Sequence, residues 1–272
     1  MTVISAVLLF GFLIFIHELG HFIVAKSNGV RIMKFSLGFG PRLIGRQIGE
    51  TEYVISAIPL GGYVKMLGED SEEDGSEPAD DARSYRNQSV LKRTAIVFSG
   101  PLFNLLTAVI IYFLIFLIGV PTPLPVVGEV LPDSPAARSS LAKGDRIVEI
   151  GGTPVSHWTD MTKIIYESPG KPLSIKVRRG NTLQTISVTP ERKTVKDLFG
   201  EEKVIGLIGV KPADETTTVK EDLPHAAASA ISRTWEISVL TVVSIVKLIQ
   251  RIIPADTIGG PILIFQLAEK QA

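Results

Sequence analysis

His17, Glu18 and His21 stand together in FLIFIHELGHFIVAK, residues 12 to 26, a stretch whose other residues up to Ala25 are apolar or glycine. Residues four apart on a helix share one face about one turn apart, so the two imidazoles are neighbours if this stretch is helical. Two neutral imidazoles at that spacing can share one tetrahedral Zn²⁺. Glu18, beside the first ligand, is placed to take a proton from a water on the metal. The plain alternative is a set of polar side chains hydrogen-bonded inside a helix bundle. Ionisable groups are costly at membrane depth, which argues against an idle role.

The element that carries these residues is itself informative. Met1 to Ile16 has no charged side chain, and apolar character resumes after His21 until Lys26. About 25 residues at 1.5 Å each suffice to cross a bilayer core. Neither a basic leader nor a small-residue cleavage site is present, so a retained transmembrane helix over residues 1–25 is expected rather than a signal peptide. A second uncharged run, Thr94 to Gly128, contains LLTAVIIYFLIFLIGV and predicts a second transmembrane helix over 94–121. Lys26, Arg31 and Lys34 begin the loop between them, and Arg83, Arg86, Lys92 and Arg93 end it. Basic residues next to membrane segments mark the cytoplasmic side. The loop 26–93 is therefore expected inside, with the N-terminus and everything after Pro121 outside. Glu18 then lies roughly 10 Å within the cytoplasmic boundary. A third apolar run, Ile237 to Val246, is bracketed by Glu236 and Lys247. It is too short to span and predicts an amphipathic helix over 222–254 at the membrane surface.

The chain has 272 residues, enough for about two domains, with 45% hydrophobic residues and a formal net charge of zero. The charge balance gives no support for nucleic-acid binding. The absence of cysteine excludes disulfides, thiolate zinc sites and a catalytic thiol. From Val30, β-prone pieces such as RIMKFSLGF and EYVISAIPL alternate with Gly and Pro, which predicts hairpins apolar enough to dip into the membrane. EDSEEDGSEPADD approaches a calcium-loop spacing at Asp70, Glu72, Asp74, Gly75 and Asp81. It lacks flanking amphipathic helices and a final Glu, so it reads as a solvated acidic loop. From Val126 to about Pro212, five short strands and two helices suggest a small, partly open β-barrel. The fold class is thus a multi-pass α-helical membrane core with a membrane-associated β-hairpin region, followed by a small α+β domain.

Taken together, these pieces resemble the bacterial site-2 proteases, which perform regulated intramembrane proteolysis. HELGHFIVAK looks like that family's zinc motif, and FSLGFGP and IPLGGYVKMLGE look like its membrane-reentrant β-hairpin. SGPLFNLLTAVIIYF resembles its second core helix, with Gly100 and Asn104 at the Gly-x-x-x-Asn spacing. VVGEVLPDSPAARSSLAKGDRIVEIGGTPV is similar to the family's PDZ domain, expected over 122–214. The resemblance implies a zinc-dependent intramembrane endopeptidase of the bacterial inner membrane. Zinc would be held by His17 and His21, with Glu18 as general base and proton shuttle. The substrate would be a single-span membrane protein, an anti-sigma factor in the family-typical case, and the PDZ domain a size filter or a reader of a peptide C-terminus. It also points to Val126, Val127, Gly128 and Val130 as the strand that accepts a peptide. Asn104 either lines the site or serves as a polar packing residue beside Gly100.

One expected ligand is missing. The family's third ligand is an Asp in an Asn-x-x-Pro…Leu-Asp-Gly context, and Asp256 in PADTIGGPI lacks it and reads as capping a turn. GGPILIFQL resembles the lead-in to a further core helix, so residues 255–272 are expected to begin a membrane segment, with the third ligand beyond Ala272. His157 reads as a surface residue in a turn, His225 as a cap of the amphipathic helix, and Trp235 as an interfacial anchor. Two other classes remain open: a metal transporter using His17 and His21, and a membrane-tethered PDZ adaptor with an incomplete zinc site.

Overall fold

The computed structural model describes residues 2–69, 81–196 and 201–252. The acidic loop around Asp70, Glu72, Asp74 and Gly75, and Asp256 with the segment 255–272, lie outside the described residues. Two compact units divide the chain, the first running to Ile111 and the second from Tyr112 to Ala255.

In the first unit, α1 (Thr2–Ser27) carries the HELGH face. It is followed by β1 (Ile32–Ile48) and β2 (Thr51–Met66) and then by α2 (Val90–Ile118). Both helices are long and apolar enough to cross a membrane, as Val7–Ser27 and Val90–Ile118. Leu102, Leu106, Ile110 and Leu114 on α2 are half exposed, as suits a face turned to lipid. α2 begins four residues before the uncharged run and so includes Lys92 and Arg93.

The two long strands each fold back on themselves. Lys34 to Leu37 pair with Glu52 to Ile55 on one side and with Gly62 to Lys65 on the other, while Arg42 to Ile48 pair with Thr51 to Ser56. The result is a four-stranded mixed sheet in the order 42–48, 51–56, 34–37, 62–65, in which 34–37 runs parallel to 52–55 and antiparallel to 62–65. The bends fall at glycines: Gly38 and Gly40 have φ of 89° and 85°, and Gly61 has φ of 136°. These are values an L side chain rarely tolerates. Backbone polar groups at membrane depth must be satisfied internally, and a sheet doubled in this way pairs its two inner segments on both sides. Phe35 fastens it to α1, with ring centroids 5.9 Å from Phe15 and 4.9 Å from Phe22.

The second unit opens with β3 (Val120–Pro123) and β4 (Val127–Val130), followed by the single turn α3 (Pro135–Arg138). Next come β5 (Arg146–Ile150), β6 (Thr153–Pro154) and α4 (Trp158–Tyr166). β7 (Leu173–Arg179), β8 (Thr182–Val188) and β9 (Glu191–Lys196) follow. The unit closes with β10 (Glu202–Leu207), β11 (Val210–Pro212), β12 (Thr216–Val219) and α5 (Leu223–Ile249). A four-stranded antiparallel sheet runs β6-β5-β7-β8, and separate pairs join β11 to β4, β10 to β9 and β12 to β3. Ile147, Ile150, Met161, Ile175 and Val177 form a core that excludes water almost completely. α5 is 27 residues long, so the ten-residue apolar run sits inside a helix whose length and composition also reach what a crossing needs.

Asp145 is fully buried in this unit and meets Arg179 in a two-pronged pair, Nε and Nη2 both 2.7 Å from its carboxylate oxygens. Burial alone would raise the Asp145 carboxyl. The Arg179 hydrogen bonds and the Ala142 N–H outweigh it and hold the carboxyl below its usual range. A depressed carboxylate contributes stability above the unfolded Asp value of about 4, and this is lost as pH falls through the lower folded value. Arg179→Ala should destabilise the fold, because it leaves the buried Asp145 carboxylate with the Ala142 N–H as its remaining partner. Thermal unfolding from pH 7 down to pH 3 should show the variant losing part of the acid dependence of the parent. Parallel curves would refute the assigned role.

Candidate metal centre

The HELGH helix reaches its partner through a glycine. A Cβ at Gly20 would lie 2.5 Å from the Ser99 carbonyl oxygen and 3.0 Å from the Phe103 ring, so α1 and α2 touch backbone to backbone here. Small residues permit such close crossings of membrane helices. Pro101 follows in α2 and cannot donate to a carbonyl of the preceding turn.

That crossing brings both imidazoles over Gly100. A Cβ there would lie 2.5 Å from His21 Nε2 and 2.6 Å from His17 Nε2. The other ring nitrogens are occupied. His21 Nδ1 is 2.7 Å from the Ile96 carbonyl oxygen, which can only accept, so this nitrogen carries the proton and Nε2 offers its lone pair. His17 Nδ1 faces the Asn104 side-chain amide at 3.4 Å. The amide oxygen of Asn104 is buried without a hydrogen-bond partner. The two rings stand edge to face, 4.8 Å between centroids. The site residues expected from sequence, His17, His21 and Asn104, therefore meet at one point.

Glu18 turns toward the hairpin. A Cβ at Gly62 would sit 3.6 Å from Glu18 Cγ, and the Val64 backbone N–H bonds to the carboxylate. Glu18 and His21 share a cavity of about 370 Å³ with Tyr63, Glu69 and Tyr85. A space of that size, lined by polar groups, can hold water. Among the described residues no strand pairs with the outer edge of Gly62–Met66, the edge that passes Glu18.

The residues fit a metal in two respects. Both Nε2 atoms face a space that any side chain at position 100 would fill; that of His21 has its lone pair available, that of His17 does once the Asn104 amide presents Oδ1 to Nδ1, and each ring has a neighbour at its far nitrogen, as metal-bound histidines do. Among the described residues no group of three His, Cys, Asp or Glu side chains forms a ligand set, so these two histidines account for half of a tetrahedral site.

The strand expected to accept a peptide requires correction. Val127 is 1% exposed, its N–H donates to Asp145 and its carbonyl accepts from Gly144. Val126 bridges Arg146, and Glu129 and Val130 pair with Lys211 and Val210. With both edges taken, the stretch containing Val126, Val127, Gly128 and Val130 has no ladder to offer. The groove that exists lies between α4 and the segment Leu207–Pro212, about 150 Å³ lined by Trp158, Met161, Ile165 and Tyr166 on the helix side. His157 is the N-cap residue of α4, and its N–H donates to Asp160. The cap of α5 is Asp222 rather than His225, whose backbone N–H and Nδ1 both meet the Asp222 carboxylate. Trp235 is 71% exposed on α5. Sequence reasoning missed the Ile96 carbonyl, because a backbone acceptor leaves no side-chain signature.

The family model described as peptidase family M50 matches residues 5–272. Cj1068 of Campylobacter jejuni, named as a zinc metalloprotease, is 37% identical over 269 residues, 99% of this chain and 72% of that protein. The regulator of sigma-E protease RseP of Escherichia coli K12 is 30% identical, over 96% of this chain and 79% of that protein. Among solved structures, the HtrA3 PDZ domain bound to a phage-derived ligand matches 27% of this chain and 64% of that one, at 33% identity and a TM-score of 0.24.

The convergence over Gly100 can be tested directly. Gly100→Ala improves helix propensity, so α2 should form at least as well, yet its methyl group would occupy the space between the imidazoles. The purified variant should keep its far-ultraviolet helix signal and lose bound zinc. Unchanged zinc content would mean the rings do not converge there.

Proposed function

The chain belongs to peptidase family M50 and is a zinc metalloprotease of the site-2 type, and from that premise we propose that it cleaves transmembrane segments of single-span proteins near their cytoplasmic ends. The observation that carries the reading is the meeting of His17 and His21 Nε2 over Gly100, with Glu18 beside them in a polar cavity. An anti-sigma factor is the proposed substrate class, in keeping with the name of the Escherichia coli relative.

His17 and His21 would hold Zn²⁺ through Nε2, with a third donor beyond the described residues. Zinc bound there would polarise the scissile carbonyl and acidify the attacking water. Glu18 would take the proton from the attacking water and pass it to the leaving amine. The Ile96 carbonyl fixes the His21 ring from behind. A histidine committed through Nε2 carries its proton on Nδ1 and needs an acceptor. Asn104 supplies one to His17 once its amide is turned so that Oδ1 faces the ring. A peptide bond inside a helix is shielded by its own hydrogen bonds, so the substrate must unwind to be cut. The open edge of Gly62–Met66 can receive the unwound segment as an added strand alongside Glu18.

In the second unit, the α4–β11 groove is proposed to take an extended peptide, with β11 as the edge and the apolar helix face as the side-chain pocket. Its proposed role is to restrict access to substrates already shortened. By the distribution of basic residues, the loop 26–93 is placed in the cytoplasm and the PDZ domain outside. α5, with Trp235 as anchor, is proposed to lie along the outer membrane surface.

Two substitutions test the roles. Glu18→Gln in the intact membrane protein should retain zinc but lower cleavage of a single-span reporter by at least about a hundredfold. An active Glu18→Gln enzyme would refute the general-base assignment. Asn104→Ala should weaken zinc binding roughly 10–100-fold in a chelator competition, with Asn104→Asp restoring much of it. Equal affinity in all three proteins would leave Asn104 a packing residue only.

A further inference from the structure

A second polar cavity, of about 440 Å³, lies where α1 ends, and it is separate from the HELGH site. Lys26, Arg31 and Arg83 line it against a single carboxylate, Glu50. Glu50 is committed to Arg83, whose guanidinium Nη2 bonds to it, and stands 3.8 Å from Arg31 Nε. Asp81 accepts from the Arg83 backbone N–H, and Lys92, which does not line the cavity, donates from Nζ to the Asn28 carbonyl. The lining is therefore positive in balance, and its one carboxylate, Glu50, is shared between Arg83 and Arg31. Arg31 Nε is buried without a hydrogen-bond partner. The Lys26 ammonium rests 5.2 Å from the centre of the Phe22 ring and forms no ion pair among the described residues.

The location narrows the ligand. The apolar span of α1 closes at Ser27, so Lys26 and Arg31 stand where hydrocarbon gives way to headgroups. Val30, Ile32 and Ile48 form the apolar part of the cavity wall. Ile48 is 58% exposed, and Ile44 on the same strand segment is 67% exposed. Guanidinium and ammonium groups recognise phosphate oxygens, and exposed isoleucines at this depth accept acyl chains. We infer that this cavity binds the phosphate of an anionic phospholipid headgroup, the acyl chains covering Ile44 and Ile48. A free phosphate shares the headgroup chemistry but would use only the cationic half. The depth assignment rests on α1 crossing the membrane. The binding itself is independent of zinc and of cleavage, so either can fail without the other.

Native mass spectrometry of the intact protein, in detergent with equal amounts of phosphatidylglycerol and phosphatidylcholine of identical chains, reads the preference. Retention of phosphatidylglycerol should exceed that of phosphatidylcholine by about fivefold or more. Lys26→Gln with Arg31→Gln should bring the two lipids to parity, and Arg31→Lys alone should keep most of the preference. Parity in the unsubstituted protein overturns the proposal without recourse to any variant. So does an equal loss from Arg86→Gln, a basic residue of the same loop that does not line the cavity, since general surface charge would then account for the effect. Protection of the protein by inorganic phosphate alone, with no lipid preference, would identify a small-anion site and likewise overturn it.

Discussion

The contact between Gly20 and the Ser99–Gly100 backbone is the constraint on which the candidate site depends. Two imidazoles on one helix cannot share a metal with a neighbouring element unless that element comes within side-chain reach. At Gly100 a single methyl group would already be too much. The same closeness lets the Ile96 carbonyl reach His21 Nδ1 and the Asn104 amide face His17 Nδ1. Where the rings back onto α2 rather than onto the polar cavity, α2 supplies the neighbour of each Nδ1. Zinc chemistry and helix packing are thus met by one geometry.

The hairpin solves a related problem by other means. An extended backbone at membrane depth exposes costly N–H and C=O groups unless they pair. Doubling β1 and β2 into a four-stranded mixed sheet pairs the two inner segments on both sides and leaves outer edges at Arg42–Ile48 and Gly62–Met66. The second of these passes Glu18, where the Val64 N–H is directed at the carboxylate. Gly62 keeps the sheet close, since a Cβ there would lie 2.6 Å from the Ser36 carbonyl oxygen.

Much of this was legible in the sequence because it depends on local pattern. The HELGH spacing, the two uncharged runs and the Gly-Pro punctuation of the hairpin all correspond to elements in place. What was not legible depends on which strand edges remain open. The VVGEV stretch has the alternation of a strand, but pattern cannot tell that Asp145, Arg146, Val210 and Lys211 occupy both its sides. KVIGLIGV is β-prone throughout, yet it breaks at Ile208–Gly209, where Gly209 takes φ of 76°, and its second half forms the wall of the actual groove. The α5 helix, Leu223–Ile249, lies close to the expected 222–254; what the ten-residue apolar run did not show is that the whole helix reaches the length and composition of a crossing.

An open sheet edge is ordinarily a liability, prone to unwanted pairing. On the proposed reading, its position turns the liability into a selective filter. A transmembrane helix pressed against the edge gains nothing from it, because its backbone groups are already bonded to one another. A segment that has unwound has lost those bonds and recovers them only by pairing with an edge. Gly62–Met66 therefore favours the conformation in which a peptide carbonyl is accessible, and Glu18 lies beside that edge. A stable membrane helix with no tendency to unwind would pass the site uncut, even with every zinc ligand in place. On the proposed reading, discrimination among membrane proteins then rests on how readily each one's cytoplasmic end gives up its helix, with sequence at the cut a secondary matter.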